Sequence, residues 1–406
     1  MTTILVSAGD ASGEAHAADL VRDLRERHPS LRFVGMGGPR MAAEGVEIVL
    51  DQRELAVGGV LEIIASAARL IRGWRRMLDC VRRERPDLIV LVDSGGFHLP
   101  LARRIRRLVR SPILYYVAPQ IWAWRPRRLQ KLAARADRIA VILPFEREYY
   151  AARGLVVDYV GHPALDRAPC PALPPEGSDA VGGVAVSPVA DRERRRQSAR
   201  RRLGLSADGP VMAILPGSRR NELARHLPVQ LDAFARLRRE RPGLTGIIAL
   251  AASLERAEVE TRLAHARQGA DSGIRLVEGQ AESVIDAADV AIAKPGTITV
   301  ELMLRETPMV VVGRAHPLTA WIARGRIEVD RLSMPNLIAG EDIVPELLQE
   351  EARPDRIAAA AAPLFEGPER LRQLEGLARA SRLLGEPGAA RRTSAIVEEM
   401  LEDLGA

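Results

Sequence analysis

Polar side chains stand beside glycines at four points of the sequence where an apolar run ends. The first point is GDASGE, which holds three polar residues and two glycines: Asp10, Ser12, Glu14, Gly9 and Gly13. Glycine lets a backbone approach a ligand closely because it has no Cβ. The spacing is neither that of a dinucleotide-binding G-x-G-x-x-G turn nor that of a P-loop, so no reaction follows from it and an ordinary glycine-rich turn is the alternative.

The second point is Asp93, which comes directly after the continuous apolar run Leu88–Val92. Such a run predicts a buried parallel strand, and a carboxylate at the end of that strand faces the ligand crevice of the sheet. The alternative is an aspartate that caps the following helix.

The third point is LPGSRRNE at 215–222, where a Pro-Gly turn leads into a helix. It predicts an anion site, because free N–H groups at the helix start and the guanidinium of Arg219 both suit a diphosphate. A simple turn with a surface arginine is the alternative.

The fourth point is KPGTITVEL at 294–302, in which Gly296 and Thr297 open a helix and Glu301 follows one turn later. That glutamate could accept hydrogen bonds from both hydroxyls of a ribose, or it could serve only its own helix. The chain has no D-x-D pair, with which metal-dependent nucleotide-sugar transferases commonly hold their cation. We therefore expect a diphosphate to be neutralised by a helix dipole and arginine, with no metal and no cofactor.

Apolar runs alternate with helical patterns through both halves of the chain, which predicts parallel sheets with helices on both faces. The predicted strands of the first half are Thr3–Ser7, Arg32–Gly35, Leu88–Val92, Ile113–Val117 and Arg138–Ile142. Those of the second half are Val211–Leu215, Gly246–Leu250, Arg275–Val277, Val290–Ala293 and Met309–Val312. The predicted helices include His16–Arg27, 60–84, 299–305, 355–365 and the C-terminal end.

Residues 166–190 are rich in Pro, Gly, Ala and Ser, which is typical of a linker. We expect an α/β protein of two doubly wound, Rossmann-like parallel-sheet domains that face a central cleft, with ligands at the carboxyl ends of the strands. The predicted segments are an N-terminal domain (1–168), a linker with a connecting helix (169–205), a C-terminal domain (206–365) and C-terminal helices that pack back on the N-terminal domain (366–406).

The composition is that of a folded protein, with 47% hydrophobic and 28% charged residues and a formal net charge of +6. The positive charge favours an anionic substrate or membrane surface over nucleic acid, because neither zinc-finger spacing nor an aromatic RNA-binding signature occurs. Cys80 and Cys170 match no metal or redox spacing, and the N-terminus has no signal-peptide pattern. We therefore expect a cytoplasmic protein that can touch a membrane.

The segment from Val57 to Arg83 is the predicted membrane contact. It places apolar residues and Trp74 beside an arginine cluster; the apolar residues are Val60, Leu61, Ile63, Ile64, Leu70 and Ile71. This pattern suits an interfacial helix on an anionic surface. The alternative is that the apolar side packs on the parallel sheet, as in any helix that flanks one.

Together these stretches resemble bacterial lipid-A-disaccharide synthases over about nine tenths of the chain and in the family's order. The matching stretches are SAGDASGE at 7–14, GMGGPRM at 35–41, ELAVGGVLEI at 54–63, YYVAPQIWAWRPRR at 115–128, LPFE at 143–146, VGHP at 160–163, LPGSRRNE at 215–222, KPGTITVEL at 294–302 and SMPNLIAGEDIVPELLQEE at 333–351. The tryptophan-rich and PNLIAG stretches are specific to the family, whereas the LPGSR and KPGT stretches are shared among GT-B glycosyltransferases.

The resemblance implies a GT-B fold and an inverting, metal-independent transfer of 2,3-diacylglucosamine from UDP to the 6-hydroxyl of 2,3-diacylglucosamine 1-phosphate. It implies that Asp93 is the general base and Asp10 a second catalytic residue. The implied substrate-binding residues are Ser12, Gly13, Glu14, Trp122, Arg125, Gly217, Ser218, Arg219, Glu222, Gly296, Thr297, Glu301 and Asn336. It also implies an N-terminal domain that meets the acceptor at the inner-membrane surface and a C-terminal domain that binds the UDP-sugar.

The sequence departs from the family at two places near these residues. Asp10 and Glu14 stand where the family usually has Glu and Asp, and VDSGGFH at 92–98 lacks the Pro and Asn of the family's D-x-P-x-F-N. The loop that holds Asp93 could therefore differ in shape. Another GT-B transferase with a lipid-linked acceptor and a non-catalytic UDP-sugar-binding protein remain as alternative functions, and a homodimer is an open alternative for the assembly.

Overall fold

The protein is described here by a computed structural model that covers residues 1–55, 63–124, 129–168, 188–251, 254–265, 273–315 and 330–405. The chain forms two compact units. The first contains Met1–Asp166 and the C-terminal stretch that begins at Leu384, and the second is built from the chain between them.

Within the described residues, the first unit has a seven-stranded parallel sheet in the order β3-β2-β1-β4-β5-β6-β7. Its strands are β1 (Thr3–Ala8), β2 (Arg32–Gly37), β3 (Glu47–Asp51), β4 (Leu88–Val92), β5 (Ile113–Tyr116), β6 (Arg138–Val141) and β7 (Asp158–Tyr159). The helices that follow them are α1 (Ala11–Arg27), α2 (Pro39–Ala43), α3 (Ile63–Glu84), α4 (Gly95–Ile105), α5 (Ile121–Trp124), α6 (Leu129–Ala133), α7 (Pro144–Ala151) and α8 (Ala164–Arg167).

The second unit has a six-stranded parallel sheet in the order β10-β9-β8-β11-β12-β13, again within the described residues. Its strands are β8 (Val211–Leu215), β9 (Thr245–Leu250), β10 (Ile274–Glu278), β11 (Val290–Ala293), β12 (Met309–Gly313) and β13 (Glu346–Leu348). The remaining helices are α9 (Pro188–Arg202), α10 (Arg220–Glu240), α11 (Arg256–His265), α12 (Ala281–Ala287), α13 (Ile298–Leu304), α14 (Met334–Ala339), α15 (Pro354–Ala361), α16 (Pro368–Leu383) and α17 (Ala389–Gly405).

Every residue of the central strands β1, β4, β8 and β11 is buried. The strands are mostly Val, Ile, Leu and Ala, because helices cover both faces of a parallel sheet and leave neither face exposed to solvent. The two α/β, doubly wound sheets predicted from the sequence are thereby confirmed.

The last two helices belong to different units. Helix α17 packs on α1 in the first unit, whereas α16 packs on α13 and α14 in the second. Gly376 of α16 sits against Ile343, where an added Cβ would lie 2.7 Å from a methyl carbon. The chain therefore returns to the N-terminal unit at Leu384, later than the predicted start at residue 366. The predicted linker lies outside the described residues over 169–187.

Candidate active site

The strand order of each sheet reverses between two adjacent parallel strands. In the first unit Ala8 of β1 pairs with Val92 of β4, and in the second Leu215 of β8 pairs with Ala293 of β11. Loops that leave the carboxyl ends of such strand pairs bind ligands in doubly wound folds. All four predicted stretches leave these ends, two in each unit. The loop with Asp10 therefore lies beside the loop with Asp93, and the 215–222 loop lies beside the 294–302 loop.

Asp93 begins the loop after β4 in an unusual backbone conformation. Asp93 and Ser94 both have a left-handed φ, +50° and +45°, which residues other than glycine rarely adopt. The Asp93 carbonyl oxygen accepts hydrogen bonds from the Tyr115 hydroxyl at 2.6 Å and from Nδ1 of His98 at 2.9 Å. Ser94 is the N-cap residue of α4, so Asp93 does not occupy the capping position. Asp93 is half-buried.

The glycine-rich turn after β1 packs directly on this loop. A Cβ added at Gly9 would lie 2.6 Å from the Cβ of Ser94, so only glycine lets the two loops meet. Asp10 is the N-cap residue of α1, and its Oδ1 accepts from the backbone N–H of Gly13 at 2.9 Å. The hydroxyl of Ser12 lies 3.4 Å from Nε2 of His16.

Glu14 is buried and accepts hydrogen bonds from two neighbouring segments, which the sequence did not predict. The residue is 4% exposed, and its carboxylate accepts from the backbone N–H of Arg40 at 2.8 Å and from the side-chain amide of Gln52. Glu14 thus ties α1 to the turns that follow β2 and β3. These contacts support a role in shaping the turn.

Trp122 is also used inside the first unit. Its indole N–H donates to Oε1 of Glu146 at 2.9 Å, and the other oxygen of Glu146 accepts from the backbone N–H groups of Ile142 and Leu143 at 3.1 and 2.9 Å. Glu146 is 1% exposed, and this burial raises its pKa to about 7, while the three donors limit the rise. The pair joins the segment after β5 to the start of α7. Arg125 lies outside the described residues.

The loop after β8 is organised by Glu222. Its Oε2 accepts from the backbone N–H groups of Ser218 and Arg219 at 3.0 and 3.3 Å, and Lys294 Nζ lies 3.1 Å from its Oε1. The N–H groups predicted to be free for an anion are therefore occupied in this structure, because Glu222 caps its own helix. Burial acts to raise the pKa of Glu222, but Lys294, Arg219 and the Ser218 N–H together outweigh burial and the pKa is lowered.

The side chains around this loop remain suited to a diphosphate. Arg219 and Ser218 are exposed at the start of α10, and Lys294 brings a second cationic group from the end of β11. Gly217 has φ +118°, and an added Cβ would lie 2.8 Å from the Cβ of Glu222. Glycine is required there because both the conformation and the space exclude a side chain.

The loop after β11 leads into the helix that carries Glu301. Gly296, with φ +139°, and Thr297 precede α13, and Glu301 is half-buried in its first turn. Thr299 Oγ1 donates to the Gly296 carbonyl at 2.7 Å and accepts from the Met334 N–H at 3.3 Å, which connects this loop to α14.

Asn336 is buried, and its carboxamide makes four hydrogen bonds inside the second unit. Its Oδ1 accepts from the N–H groups of Ile343 and Val344, and its Nδ2 donates to the Val344 carbonyl and to Glu346, all at 2.8–2.9 Å. Glu346 also accepts from Ser333 Oγ at 2.7 Å. Asn336 and Glu346 thus bond each other and hold together the loop between them.

Four residues were missed as site residues in the sequence: His98, Tyr115, Glu146 and Lys294. Lys294 could have been recognised from the sequence, since it is one of two lysines and begins the KPGT stretch. Among the described residues, no group of three or more His, Cys, Asp or Glu is placed to hold a metal ion.

The chain matches the family model described as lipid-A-disaccharide synthetase over residues 4–176 and 183–400. It is 40% identical to the lipid-A-disaccharide synthase of Myxococcus xanthus over 98% of this chain and 97% of the relative. It is 36% identical to that of Geobacter metallireducens, again over 98% and 97% of the two chains.

Solved structures show a similar fold at low sequence identity. A UDP-GlcNAc 2-epimerase from Neisseria meningitidis, bound to UDP-GlcNAc, matches with a TM-score of 0.63 and 11% identity over 99% of this chain and 100% of that one. MurG from Acinetobacter baumannii matches with a TM-score of 0.53 and 14% identity over 98% and 99%. The two parallel-sheet units and these likenesses show the GT-B fold. The chain belongs to the lipid-A-disaccharide synthase family.

Proposed function

We propose that this chain transfers 2,3-diacylglucosamine from UDP to the 6-hydroxyl of 2,3-diacylglucosamine 1-phosphate and releases UDP and the β-1,6-linked disaccharide. Membership of the family along nearly the whole chain is the observation that carries the proposal. The GT-B fold, with polar residues at the switch point of each sheet, is consistent with it.

The N-terminal unit supplies the base in this mechanism. The Asp93 carboxylate takes the proton of the 6-hydroxyl as that oxygen attacks the anomeric carbon of the donor. The bond between the anomeric carbon and the diphosphate oxygen breaks at the same time, and the electron pair leaves with UDP. Attack on the face opposite the leaving group inverts the anomeric carbon. Asp10 adds a second carboxylate at the end of β1, where it caps α1.

The C-terminal unit holds the nucleotide in this proposal. Arg219 forks onto the diphosphate and Lys294 adds charge beside it, so negative charge that develops on the leaving group is neutralised without a metal ion. Glu301 accepts the ribose hydroxyls from the first turn of α13. Glu222 holds the loop, and Lys294 offsets the negative charge of that carboxylate beside the diphosphate.

We also propose that the protein associates with a membrane surface, through residues that differ in part from those predicted from the sequence. Leu70 and Trp74 of α3 pack against the core, and the Trp74 indole N–H donates to the Phe97 carbonyl at 3.1 Å. Val60 and Leu61, and the side chains of Ile63 and Ile64, lie outside the described residues. No described helix is long and apolar enough to cross a bilayer.

A surface formed by α3, the end of α4 and the turn after it is the better candidate for the membrane contact. We call it the α3–α4 surface: Ile71, Arg72, Arg75, Arg104 and Leu108. Ile71 and Leu108 are 44% and 37% exposed, and the Arg104 guanidinium lies 4.3 Å from the Trp74 ring centroid, which connects the two helices. Arginines around exposed apolar side chains suit an anionic lipid surface.

The direct test is incubation of the purified chain with UDP-2,3-diacylglucosamine and 2,3-diacylglucosamine 1-phosphate, followed by mass spectrometry of the lipid product. A disaccharide monophosphate and free UDP are expected. Tight UDP binding with no product would favour a non-catalytic UDP-sugar-binding protein. Turnover only with another lipid-linked acceptor would favour a different GT-B transferase.

A further inference from the structure

The backbone of the Asp93 loop is held by side chains that the sequence motifs do not mark. Two consecutive residues, Asp93 and Ser94, have a left-handed φ, and a turn of this kind persists only where its surroundings determine it. The surroundings here include two donors on a single atom, since the Tyr115 hydroxyl and the His98 imidazole both bond the Asp93 carbonyl oxygen.

The hydrogen bonds of His98 fix which ring nitrogen carries the proton. A carbonyl oxygen can only accept, so Nδ1 of His98 is protonated and donates to Asp93. Nε2 then accepts from the hydroxyl of Ser7 at 2.9 Å. The imidazole is fully buried, and this burial lowers the pKa of His98 to about 4, so the ring is neutral at physiological pH.

Packing fixes the orientation of the ring as well. His98 makes edge-to-face contacts with Phe97 and Tyr115, with ring centroids 5.5 and 6.4 Å apart. Tyr115 is fully buried, so neither donor can swing away from the Asp93 carbonyl without opening the core. Two buried side chains thus bond the backbone of the residue assigned as the base.

We propose that His98 and Tyr115 are positioning residues for catalysis: they clamp the main-chain carbonyl of Asp93 and thereby hold its carboxylate in register with the acceptor hydroxyl. This inference rests on the proposed function. Neither residue touches substrate in it. Their loss should lower turnover more than it weakens substrate binding, because a small displacement of a general base slows proton transfer strongly.

The test compares kcat and KM for four variants of the full chain. His98→Asn keeps an N–H donor at nearly the same distance from the backbone as Nδ1, whereas His98→Leu removes the donor and keeps the bulk. Tyr115→Phe removes only the hydroxyl. Tyr159→Phe is the matched control, because its hydroxyl also donates to a backbone carbonyl, that of Leu384 at 2.8 Å, in the same unit.

We expect His98→Leu and Tyr115→Phe to lower kcat by about tenfold or more, with KM for both substrates within about twofold. His98→Asn should keep most of the parent kcat, and Tyr159→Phe should match the parent. Should His98→Leu fail to fold, Tyr115→Phe decides alone, since its ring remains to fill the core.

Three results would overturn the inference: parental kcat in folded His98→Leu or in Tyr115→Phe, an effect confined to KM, or an equal loss in His98→Asn and His98→Leu. An inactive parent would instead refute the proposed function, so the two failures are told apart in the same experiment.

Discussion

We expect recognition of the diphosphate to depend most on Arg219. Its guanidinium is exposed at the start of α10, while the backbone N–H groups beside it are occupied by Glu222. We predict that Arg219→Lys weakens UDP binding by roughly tenfold, because an ammonium group lacks the two-pronged geometry of arginine. Isothermal titration calorimetry with UDP measures this. Arg353→Lys is the control, because Arg353 is exposed and remote in sequence from the 215–222 and 294–302 loops. Equal UDP affinity in Arg219→Lys and the parent would rule out this role of Arg219.

Positions of single site residues were predictable where the backbone alone places them. The placement of Asp93 and Asp10 just after buried parallel strands could be predicted, because apolar runs mark the ends of those strands. The contacts of these loops could not be predicted, because Tyr115 reaches Asp93 from the neighbouring strand and Lys294 reaches Glu222 from another loop. That Glu222 accepts from the Ser218 and Arg219 N–H groups was also not predicted. A glutamate in the first turn of a helix can either cap that helix or face a ligand, and its spacing does not distinguish the two.

The link between α5 and α7 makes the stability of the first unit depend on pH. Burial raises the pKa of Glu146 from 4.5 to about 7, so between these values the folded protein holds a proton that the unfolded chain has lost. The free energy of unfolding therefore falls as pH rises from about 4.5 through 7, and the Glu146 contribution to that fall is on the order of 3 kcal/mol.

We predict that Glu146→Gln removes this contribution. Denaturant unfolding of the parent and the variant at several pH values measures it, and the free energy of unfolding of the parent should fall relative to that of the variant as pH rises over this window. Glu148→Gln changes an exposed carboxylate of the same helix and is the matched control. A difference between parent and Glu146→Gln that stays constant from pH 4.5 to 7 would contradict the assignment.

The central strands were predictable, whereas three of the four edge strands were not. The long apolar runs gave the ten predicted strands, and each is observed within about two residues at its ends. The strands β3, β7 and β13 were missed. The three lie at or near sheet edges, β7 and β13 are very short, and their half-polar sequences lack a continuous apolar run. Their recognition requires the neighbouring strand, which a local pattern does not contain.

Catalysis by the whole molecule is expected to need no divalent cation. Arg219 and Lys294 supply positive charge where the diphosphate is proposed to bind, and the chain has no D-x-D pair. We predict that EDTA leaves kcat within about twofold of its value without chelator. Loss of turnover on chelation, with recovery on addition of magnesium, would show that the charge of these two residues is insufficient.

The α3–α4 surface should determine binding to anionic vesicles. We predict that Ile71→Ser combined with Leu108→Ser lowers flotation with such vesicles, and that Arg72→Gln with Arg75→Gln lowers affinity by roughly tenfold or more and weakens its dependence on salt. Leu371→Ser is the matched control, because Leu371 is 61% exposed on α16 of the other unit. Flotation of the folded Ile71/Leu108 variant at the level of the parent would exclude this surface.

The most direct test of the account is the turnover of Asp93→Asn. Asparagine tolerates the left-handed backbone and keeps the size of the side chain, so the variant removes the base without disturbing the loop. We predict that kcat for disaccharide formation falls roughly 10²–10⁴-fold while UDP affinity and thermal unfolding match the parent. Turnover of the folded variant near the parental rate would contradict the assignment of Asp93 as the general base of this transferase.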